Sequence, residues 1–186
     1  MLDLPNEIKD REKCNNPSRW GFFNDPFVGK FDYHIDIGDG MPYKSHALKL
    51  KRAAKNAGEF GYLFENLFRL CKVMELKYDL GVRTRKAYLD NDREELQNIA
   101  NNVYPELIKR LKAFTAGFRK LWLKENKPFG IELHELRLGG LLLRLESCRE
   151  ILLSYLNGEI DKIDELDAPV LPFIQGIEKT ANICYQ

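Results

Sequence analysis

The most obvious candidates for chemistry in this sequence are four carboxylates near its C-terminal end. Paired carboxylates can serve as general acid and base, and clustered carboxylates bind divalent metal ions. These four stand in a short acidic run that also contains Lys162, a pattern typical of a solvated surface helix: Asp161, Asp164, Glu165 and Asp167. We therefore expect no catalytic role for them.

The three histidines, His34, His46 and His134, are far apart in the sequence and show none of the spacings that bind a metal ion. His134 is followed by Glu135, and this pair is the remaining acid–base candidate. The glycine-rich nucleotide loops and the serine-nucleophile motif are missing from the sequence. The motifs therefore predict no catalytic residue, no cofactor and no metal.

Composition narrows the class of protein. The 186 residues include 29 basic and 28 acidic side chains, and 44% are hydrophobic. Such a balance provides no long-range field that would attract nucleic acid or an anionic membrane. No apolar run reaches the ~20 residues of a membrane span, and the first residues lack the features of a signal peptide. We expect a soluble, cytoplasmic chain with no nucleic-acid and no membrane partner.

The four cysteines are scattered and form no C-x-x-C pair: Cys14, Cys71, Cys148 and Cys184. Cys71 and Cys148 fall on apolar faces of predicted helices. Buried, reduced thiols are the preferred interpretation, ahead of a disulfide framework or a metal site.

Helical periodicity begins at Ser45, an N-cap candidate, and continues over 45–80 with Gly58 and Gly61 as tolerated interior glycines. The dipeptide at Leu80 and Gly81 is expected to bend or interrupt this helix. We predict one long helix over 45–80.

Two further helices are predicted. The second starts after the polar triplet Asp90, Asn91 and Asp92, which is predicted to be a turn and an N-cap. Pro105 should kink or split this helix near Asn101. The third runs over about 131–156 and ends at Asn157 and Gly158. With short connections, these elements predict an all-α fold in which three long helices form an antiparallel bundle, with 45–186 as one domain and a short C-terminal tail.

Residues 1 to 44, which we call the arm, contain four prolines and four glycines, so we predict extended or looped structure there. The arm is also the most aromatic part of the chain: Trp20, Phe22, Phe23, Phe27, Phe31 and Tyr33. Rings at this density must be covered, either by the helices that follow or by a partner or a further domain.

A glycine pair, Gly139 and Gly140, interrupts the apolar stripe of the third helix and costs roughly 1 kcal/mol per glycine relative to alanine. The expected compensation is a close helix crossing. The small residues of the first helix are the predicted opposite surface: Ala53, Ala54, Ala57 and Gly58. Arg137 and Arg144 lie seven residues apart on one face, where a carboxylate should hold one or both.

Two motifs carry a family resemblance. The first is the run Asn-Pro-Ser-Arg-Trp-Gly-Phe-Phe-Asn-Asp-Pro-Phe-Val-Gly-Lys-Phe-Asp at 16–32. The second combines Trp122, the run Asn-Lys-Pro-Phe-Gly at 126–130 and Arg-Leu-Gly-Gly-Leu at 137–141, followed by Arg144. Over about residues 15 to 186 the chain resembles the helical domain that follows the catalytic barrel in long-form family 20 glycoside hydrolases, which are β-N-acetylhexosaminidases.

The resemblance implies a function for the parent protein. Family members use an adjacent Asp-Glu pair on the barrel, where the glutamic acid protonates the leaving group and the acetamido group of the substrate attacks the anomeric carbon. Nothing here matches that motif, since Asp164 and Glu165 lack the preceding histidine and glycine. The expected role is a non-catalytic C-terminal module that supports the barrel. A homodimer is a further expectation, and the glycan would bind only to the full-length protein.

The resemblance also assigns roles to individual residues. Candidates for the barrel interface or for one wall of the sugar site are Arg19, Trp20, Asn24, Asp25 and Asp32. Structural polar candidates are His134, Arg137 and Arg144. We further predict that a charged hydrogen bond involving Asp25 or Arg137 ties the arm to the third helix.

Two alternatives remain. The chain could be an independent helical enzyme or ligand-binding domain with a polar site in the bundle, formed by Asp25, His134, Glu135 and Arg137. It could also self-associate through the aromatic surface of the arm. A cleft with clustered groups of shifted pKa would favour the enzyme, and a flat exposed aromatic patch would favour the interaction module.

Overall fold

The computed structural model describes residues 17–171, and for residues 17–19 only the backbone. All regular structure in this range is helical, which confirms the predicted all-α class. The α-helices are α1 (Pro17–Phe23), α2 (Pro42–Asn56), α3 (Gly61–Lys77), α4 (Leu80–Leu89), α5 (Arg93–Asn98), α6 (Tyr104–Glu125), α7 (Ile131–Leu156) and α8 (Asp164–Asp167).

The predicted single helix over 45–80 is wrong, because the chain reverses between α2 and α3. A 3-10 turn, Gly58–Phe60, connects them, and Gly58 adopts a φ of 54°. At Gly61 a Cβ would lie 2.5 Å from the carbonyl oxygen of Ala54, so a glycine is needed where the two helices meet. The glycines expected at interior helical positions therefore form the turn.

The start of α2 also differs from the prediction. The helix begins at Pro42, which occupies the first turn as prolines often do. The Ser45 hydroxyl donates a hydrogen bond to the Pro42 carbonyl oxygen at 2.9 Å, so Ser45 is not the N-cap. The interruption expected at Leu80 is present, since α3 ends at Lys77 and α4 begins at Leu80.

Four long helices, rather than the predicted three, make up the body of the molecule. α2 packs on α3, α3 on α6, and α6 on α7. The first turn of α3 meets the end of α6 through a hydrogen bond from the Tyr62 hydroxyl to Glu125. The other ends of the same two helices are joined by the ion pair of Glu75 and Arg110 at 2.9 Å, so α3 and α6 are antiparallel.

A π-helical turn separates α5 from α6 at the predicted position. The Asp92 side chain caps α5 by accepting a hydrogen bond from the backbone N–H of Glu95 at 3.0 Å. The π-turn spans Ile99–Val103, and Pro105 lies in the first turn of α6. Arg149 of α7 donates from Nε to the carbonyl oxygen of Ala100 at 2.9 Å, which satisfies a backbone group within the π-turn. The break expected near Asn101 is thus confirmed.

The arm packs on the body of the molecule. It contains the short helix α1 and a 3-10 turn, Asp32–His34, where extended structure was expected. Of the six aromatic residues named for the arm, three are almost completely buried in the same core as the long helices: Phe22, Phe27 and Phe31. The rings of Trp20 and Phe31 stack with centroids 6.4 Å apart. The chain's own helices therefore cover these aromatic side chains.

α7 spans the predicted residues, and Gly158 follows it with a φ of 74°. Cys71 and Cys148 are buried free thiols as predicted, and burial raises their pKa values to about 11 and about 12. Cys14 and Cys184 lie outside the described residues. Within 17–171 no helix is both long enough and apolar enough to span a bilayer.

Candidate functional site: a charged clasp that holds the arm

Arg144 of α7 binds Asp25 of the arm through two hydrogen bonds. Its Nε lies 2.7 Å from Oδ2 of Asp25, and its Nη2 lies 3.0 Å from Oδ1. A bidentate pair fixes orientation as well as distance. The predicted charged hydrogen bond between the arm and this helix is confirmed for Asp25, but the partner is Arg144 and not Arg137.

The loop around Asp25 is built to present its carboxylate. Oδ1 also accepts hydrogen bonds from the backbone N–H groups of Phe27 at 2.9 Å and Val28 at 3.0 Å. Burial alone raises the pKa of Asp25, but the hydrogen bonds from Arg144 and from these amides outweigh it, so the pKa lies below its usual value. Asp25 is therefore an ionised partner and not a general acid.

Glu165 of α8 is the second partner of Arg144, with Oε1 at 2.8 Å from Nη2. The acidic run that contains Glu165 was expected to be solvated throughout, and this expectation is wrong for Glu165, whose side chain is about two-thirds covered (37% exposed). One arginine therefore joins three parts of the chain: the arm, α7 and α8.

Arg85 of α4 closes the same region through main-chain contacts. Its terminal nitrogens donate hydrogen bonds to four carbonyl oxygens: Phe27 at 2.5 Å, Leu166 at 2.5 Å, Ala168 at 2.6 Å and Glu165 at 3.2 Å. The arm and α8 are thus linked by two arginines from two different helices. We call Asp25, Arg85, Arg144 and Glu165 the clasp.

A second polar group lies beneath the arm: Asn24, Asp32 and Lys77, which we call the buried polar cluster. Asn24 donates from Nδ2 to Oδ1 of Asp32 at 2.6 Å, and its own Oδ1 accepts from the Phe31 N–H at 3.1 Å. Lys77 of α3, only 1% exposed, donates from Nζ to the Asn24 carbonyl oxygen at 2.5 Å. The cluster therefore fixes the backbone of the arm onto α3.

Burial shifts both ionisable groups of this cluster. It raises the pKa of Asp32 to about 6, against the hydrogen bond from Asn24 and the attraction of Lys77. It lowers the pKa of Lys77 to about 8, against the attraction of Asp32. The charged form of each residue is therefore unfavourable at this buried position. The attraction between the two opposite charges offsets part of that cost.

Glycines make room for the cluster. A Cβ on Gly29 would lie 2.2 Å from Oδ1 of Asp32 and 2.6 Å from Nδ2 of Asn24. On Gly81, at the start of α4, it would lie 3.0 Å from the same Asp32 oxygen. These contacts explain why the arm motif and the first turn of α4 each contain a glycine.

The remaining predicted site residues lie elsewhere. His134 packs between two aromatic rings of α6, with its centroid 5.1 Å from that of Phe118 and 5.0 Å from that of Trp122. Glu135 pairs with Arg119 at 3.5 Å. Arg137 is half-exposed and has no ion pair among residues 20–171.

The polar site suggested for an independent enzyme is not assembled in the described part of the chain. Asp25 is engaged by Arg144, whereas His134 and Glu135 contact α6, and no hydrogen bond or ion pair joins these two places. No group of three His, Cys, Asp or Glu side chains within 17–171 is arranged to hold a metal ion. The side chain of Arg19 lies outside the described residues.

The close helix crossing predicted at Gly139 and Gly140 is wrong. Among residues 17–171, no atom outside the neighbouring backbone of α7 lies within 4 Å of the Cβ position at either glycine, and both residues are exposed. Periodicity placed Gly139 and Gly140 correctly in a helix, but apolar neighbours on both sides hid the fact that they lie on its outer surface.

Sequence reasoning missed Arg85 and Lys77. For Lys77 a signal exists, since it occupies a position in α3 that continues the row of buried residues Cys71 and Met74. A lysine in such a row needs oxygen partners, and the irregular arm could have been proposed to supply them. For Arg85 we find no comparable signal, because its partners are main-chain carbonyls.

These features define an all-helical module in which the partly buried charges pair with one another. A family model described as the Glycoside Hydrolase 20C C-terminal domain matches residues 1–184. The chain therefore belongs to this family and is an accessory domain of a glycoside hydrolase, which confirms the resemblance stated above. A comparison with curated proteins found no match.

Proposed function

We propose that this chain is the non-catalytic C-terminal module of a β-N-acetylhexosaminidase-like enzyme and that the outer surface of its arm binds the catalytic barrel. The family assignment supports a catalytic domain as the covalent partner. The glycan would then contact only the full-length protein. The cytoplasmic location expected from the sequence stays a prediction.

The observation that carries this proposal is the two-sided character of the arm. Its inner rings belong to the core, yet four apolar side chains on its outside remain about half exposed or more: Val28 (46%), Tyr33 (50%), Ile37 (54%) and Met41 (74%). Clustered exposed apolar side chains mark surfaces that bind another protein or domain.

The clasp and the buried polar cluster supply the rigidity that such a surface needs. Asn24, Asp25 and Asp32 were expected to line the barrel interface or the sugar site, but in this structure their side chains bind within the chain. We propose that they contribute to barrel binding indirectly, because they fix the loop that presents the outer residues. Trp20, stacked on Phe31, would support the same surface.

The test is binding between the purified chain and the separately expressed catalytic domain of the same enzyme. We expect a complex that Tyr33→Asp and Met41→Asp weaken, since each places a charge in an apolar contact. Leu89→Asp is the matched control, because Leu89 is a 63% exposed leucine at the end of α4 and does not belong to the arm. A complex weakened equally by all three substitutions, or no complex, would refute the arm as the interface.

A further inference from the structure

α2 differs from the other long helices in its charge. It carries five basic side chains and no carboxylate: Lys44, Lys49, Lys51, Arg52 and Lys55. On α3 and α6, by contrast, cations pair with carboxylates of the same helix, as Arg110 does with Glu106 at 2.8 Å. None of the five α2 side chains makes an ion pair or a hydrogen bond with residues 20–171. The described part of the chain therefore leaves these charges uncompensated.

The five cations share the outward face of α2. Tyr43 and Ala47 are buried on the inner face, and all five cations are exposed on the opposite arc. Two exposed apolar side chains, Met41 (74%) and Leu48 (56%), lie along the middle of this arc. The cations flank this line on both sides: Lys44, Lys51 and Lys55 on one, Lys49 and Arg52 on the other. We call Met41, Leu48 and the five cations the basic ridge, which is about 21 Å long.

A groove between α2 and α3 adjoins the basic ridge. Its volume is about 410 Å³, and its walls include the aromatic rings of Tyr62 and Phe68. Lys51 and Lys55 of the ridge also line it. The one carboxylate among its described lining residues, Glu65, is already ion-paired within α3. Two lysines are thus open to a ligand there, and the groove is suited to an acidic side chain of a partner.

The basic ridge continues the outer surface of the arm. Met41 is one of the four exposed apolar residues of that surface, and it is also the N-cap residue of α2. The main packing partner of α2 is α3, on the side of the helix away from the ridge. A partner that covers the outside of the arm would therefore also face the ridge.

We propose that the basic ridge is the second half of the contact with the catalytic barrel and that the barrel surface facing it is acidic. This inference rests on the proposed function and adds the chemistry of the partner surface. Met41 and Leu48 supply an apolar centre, and the cations form the polar rim that is common in protein–protein interfaces. Attraction between the rim and carboxylates of the barrel speeds association and fixes the orientation of the two domains.

Two other anionic partners fit the ridge less well. An anionic membrane receives the apolar face of a basic helix, but the apolar face of α2 packs on α3. A nucleic acid would be bound through its phosphates, and Met41 and Leu48 would then lie at the centre of the contact without apolar partners. An acidic protein surface can accommodate both the cations and the apolar line.

The test is the rate at which the purified chain associates with the separately expressed catalytic domain, measured at low and at high salt. Lys51→Glu combined with Lys55→Glu reverses two charges of the ridge, both beside the groove. We expect the association rate constant to fall by about tenfold or more at low salt. The difference from the native chain should shrink at high salt, because salt screens exposed charges.

Lys109→Glu combined with Lys127→Glu is the matched control. It changes the net charge by the same amount at two exposed lysines, one within α6 and one in the turn that follows it. It should alter the rate constant by less than about twofold, since neither lysine belongs to the ridge. Circular dichroism of both double variants checks that the helices are intact. Equal slowing by the two double variants would mean that only net charge matters, and it would overturn the proposal.

A labelled DNA duplex and vesicles of anionic phospholipid, each added to the chain alone, test the other two partners. We expect the chain to bind neither at physiological salt. Binding of the duplex or of the vesicles that Lys51→Glu combined with Lys55→Glu abolishes would overturn the proposal in favour of that partner.

The result for the ridge can be told apart from the result for the arm. If Tyr33→Asp weakens the complex, but neither salt nor the double charge reversal on α2 changes the association rate, the ridge is overturned and the arm remains the interface. If no complex forms, the proposed function is refuted and the ridge with it. Slowing by the double charge reversal that exceeds the control and fades at high salt would support the acidic partner surface.

Discussion

The arm and α7 differ in how far the rest of the chain contacts them, and the residue types of the two segments do not predict this difference. The arm is rich in prolines and glycines, yet its described part is fixed by the clasp and by the buried polar cluster. α7 is the longest regular helix, yet its outward face has no partner within the described chain. Irregular backbone can thus be firmly held, because what fixes a segment is burial and hydrogen bonding rather than secondary structure.

The largest effect should come from removing Arg144. Arg144→Ala leaves the carboxylates of Asp25 and Glu165 without their cation, and we expect a loss of about 3 to 4 kcal/mol in the free energy of unfolding. Arg137→Ala is the matched control on the same helix, and it should change stability by less than about 0.5 kcal/mol. Urea unfolding measures both. Equal losses for the two variants would mean that the clasp does not hold the arm.

The buried polar cluster should give a distinctive pH dependence. The pKa of Asp32 is about 6 in the folded chain, against 3.8 for an aspartate side chain in water. Between these two pH values the folded state therefore binds more protons than the unfolded state. The contribution of Asp32 to stability is therefore complete below pH ~4 and is lost as the pH rises through about 6.

Asp32→Asn removes this titration. From pH 4 to pH 7 the variant should gain stability relative to the native chain by on the order of 3 kcal/mol, the equivalent of about two pKa units. Denaturant unfolding at a series of pH values gives the difference, and Asp161→Asn, at an exposed position, gives the baseline. If the stability difference between the variant and the native chain stayed constant from pH 4 to pH 7, the pKa of Asp32 would not be raised by burial.

Replacing glycines by alanine should change the free energy of unfolding by a smaller amount, with opposite signs in α7 and at the start of α3. Gly139→Ala with Gly140→Ala should stabilise the monomeric chain by about 1 kcal/mol per site, because both positions are open and helical. Gly61→Ala should destabilise it, since the new Cβ would lie 2.5 Å from the Ala54 carbonyl oxygen. Thermal unfolding at low protein concentration measures each change. Destabilisation by the α7 pair would show that these glycines have an internal neighbour after all.

The same glycines show how far the sequence could be interpreted. Periodicity and end signals located α7, the turn and cap at residues 90–92 and the break near Asn101, because these depend on local backbone chemistry. Whether a glycine is a turn, a close contact or an open position depends on what lies opposite it. For that reason Gly58 and Gly61 were placed inside a helix, and Gly139 and Gly140 in a crossing.

The candidate site, like the fold, could be predicted only in part from the sequence. The proximity of Asp25 to α7 followed from the two resembling motifs, and Arg144, seven residues from Arg137, proved to be its partner. The contribution of Lys77 could have been inferred from its place in a row of buried residues of α3. The contribution of Arg85 did not follow, since main-chain carbonyls as acceptors leave no trace in residue types.

The measurement that most directly tests the functional account is an assay of the purified 186-residue chain with a chromogenic β-N-acetylglucosaminide. Cleavage needs a positioned acid of raised pKa and a pocket that orients the acetamido group. The clasp carboxylates are paired with arginine, and Asp32 is only 5% exposed, so we predict no turnover above a buffer blank. Turnover abolished by His134→Ala, Glu135→Gln or the double substitution of Asp164 and Glu165 would contradict the account and establish an independent enzyme.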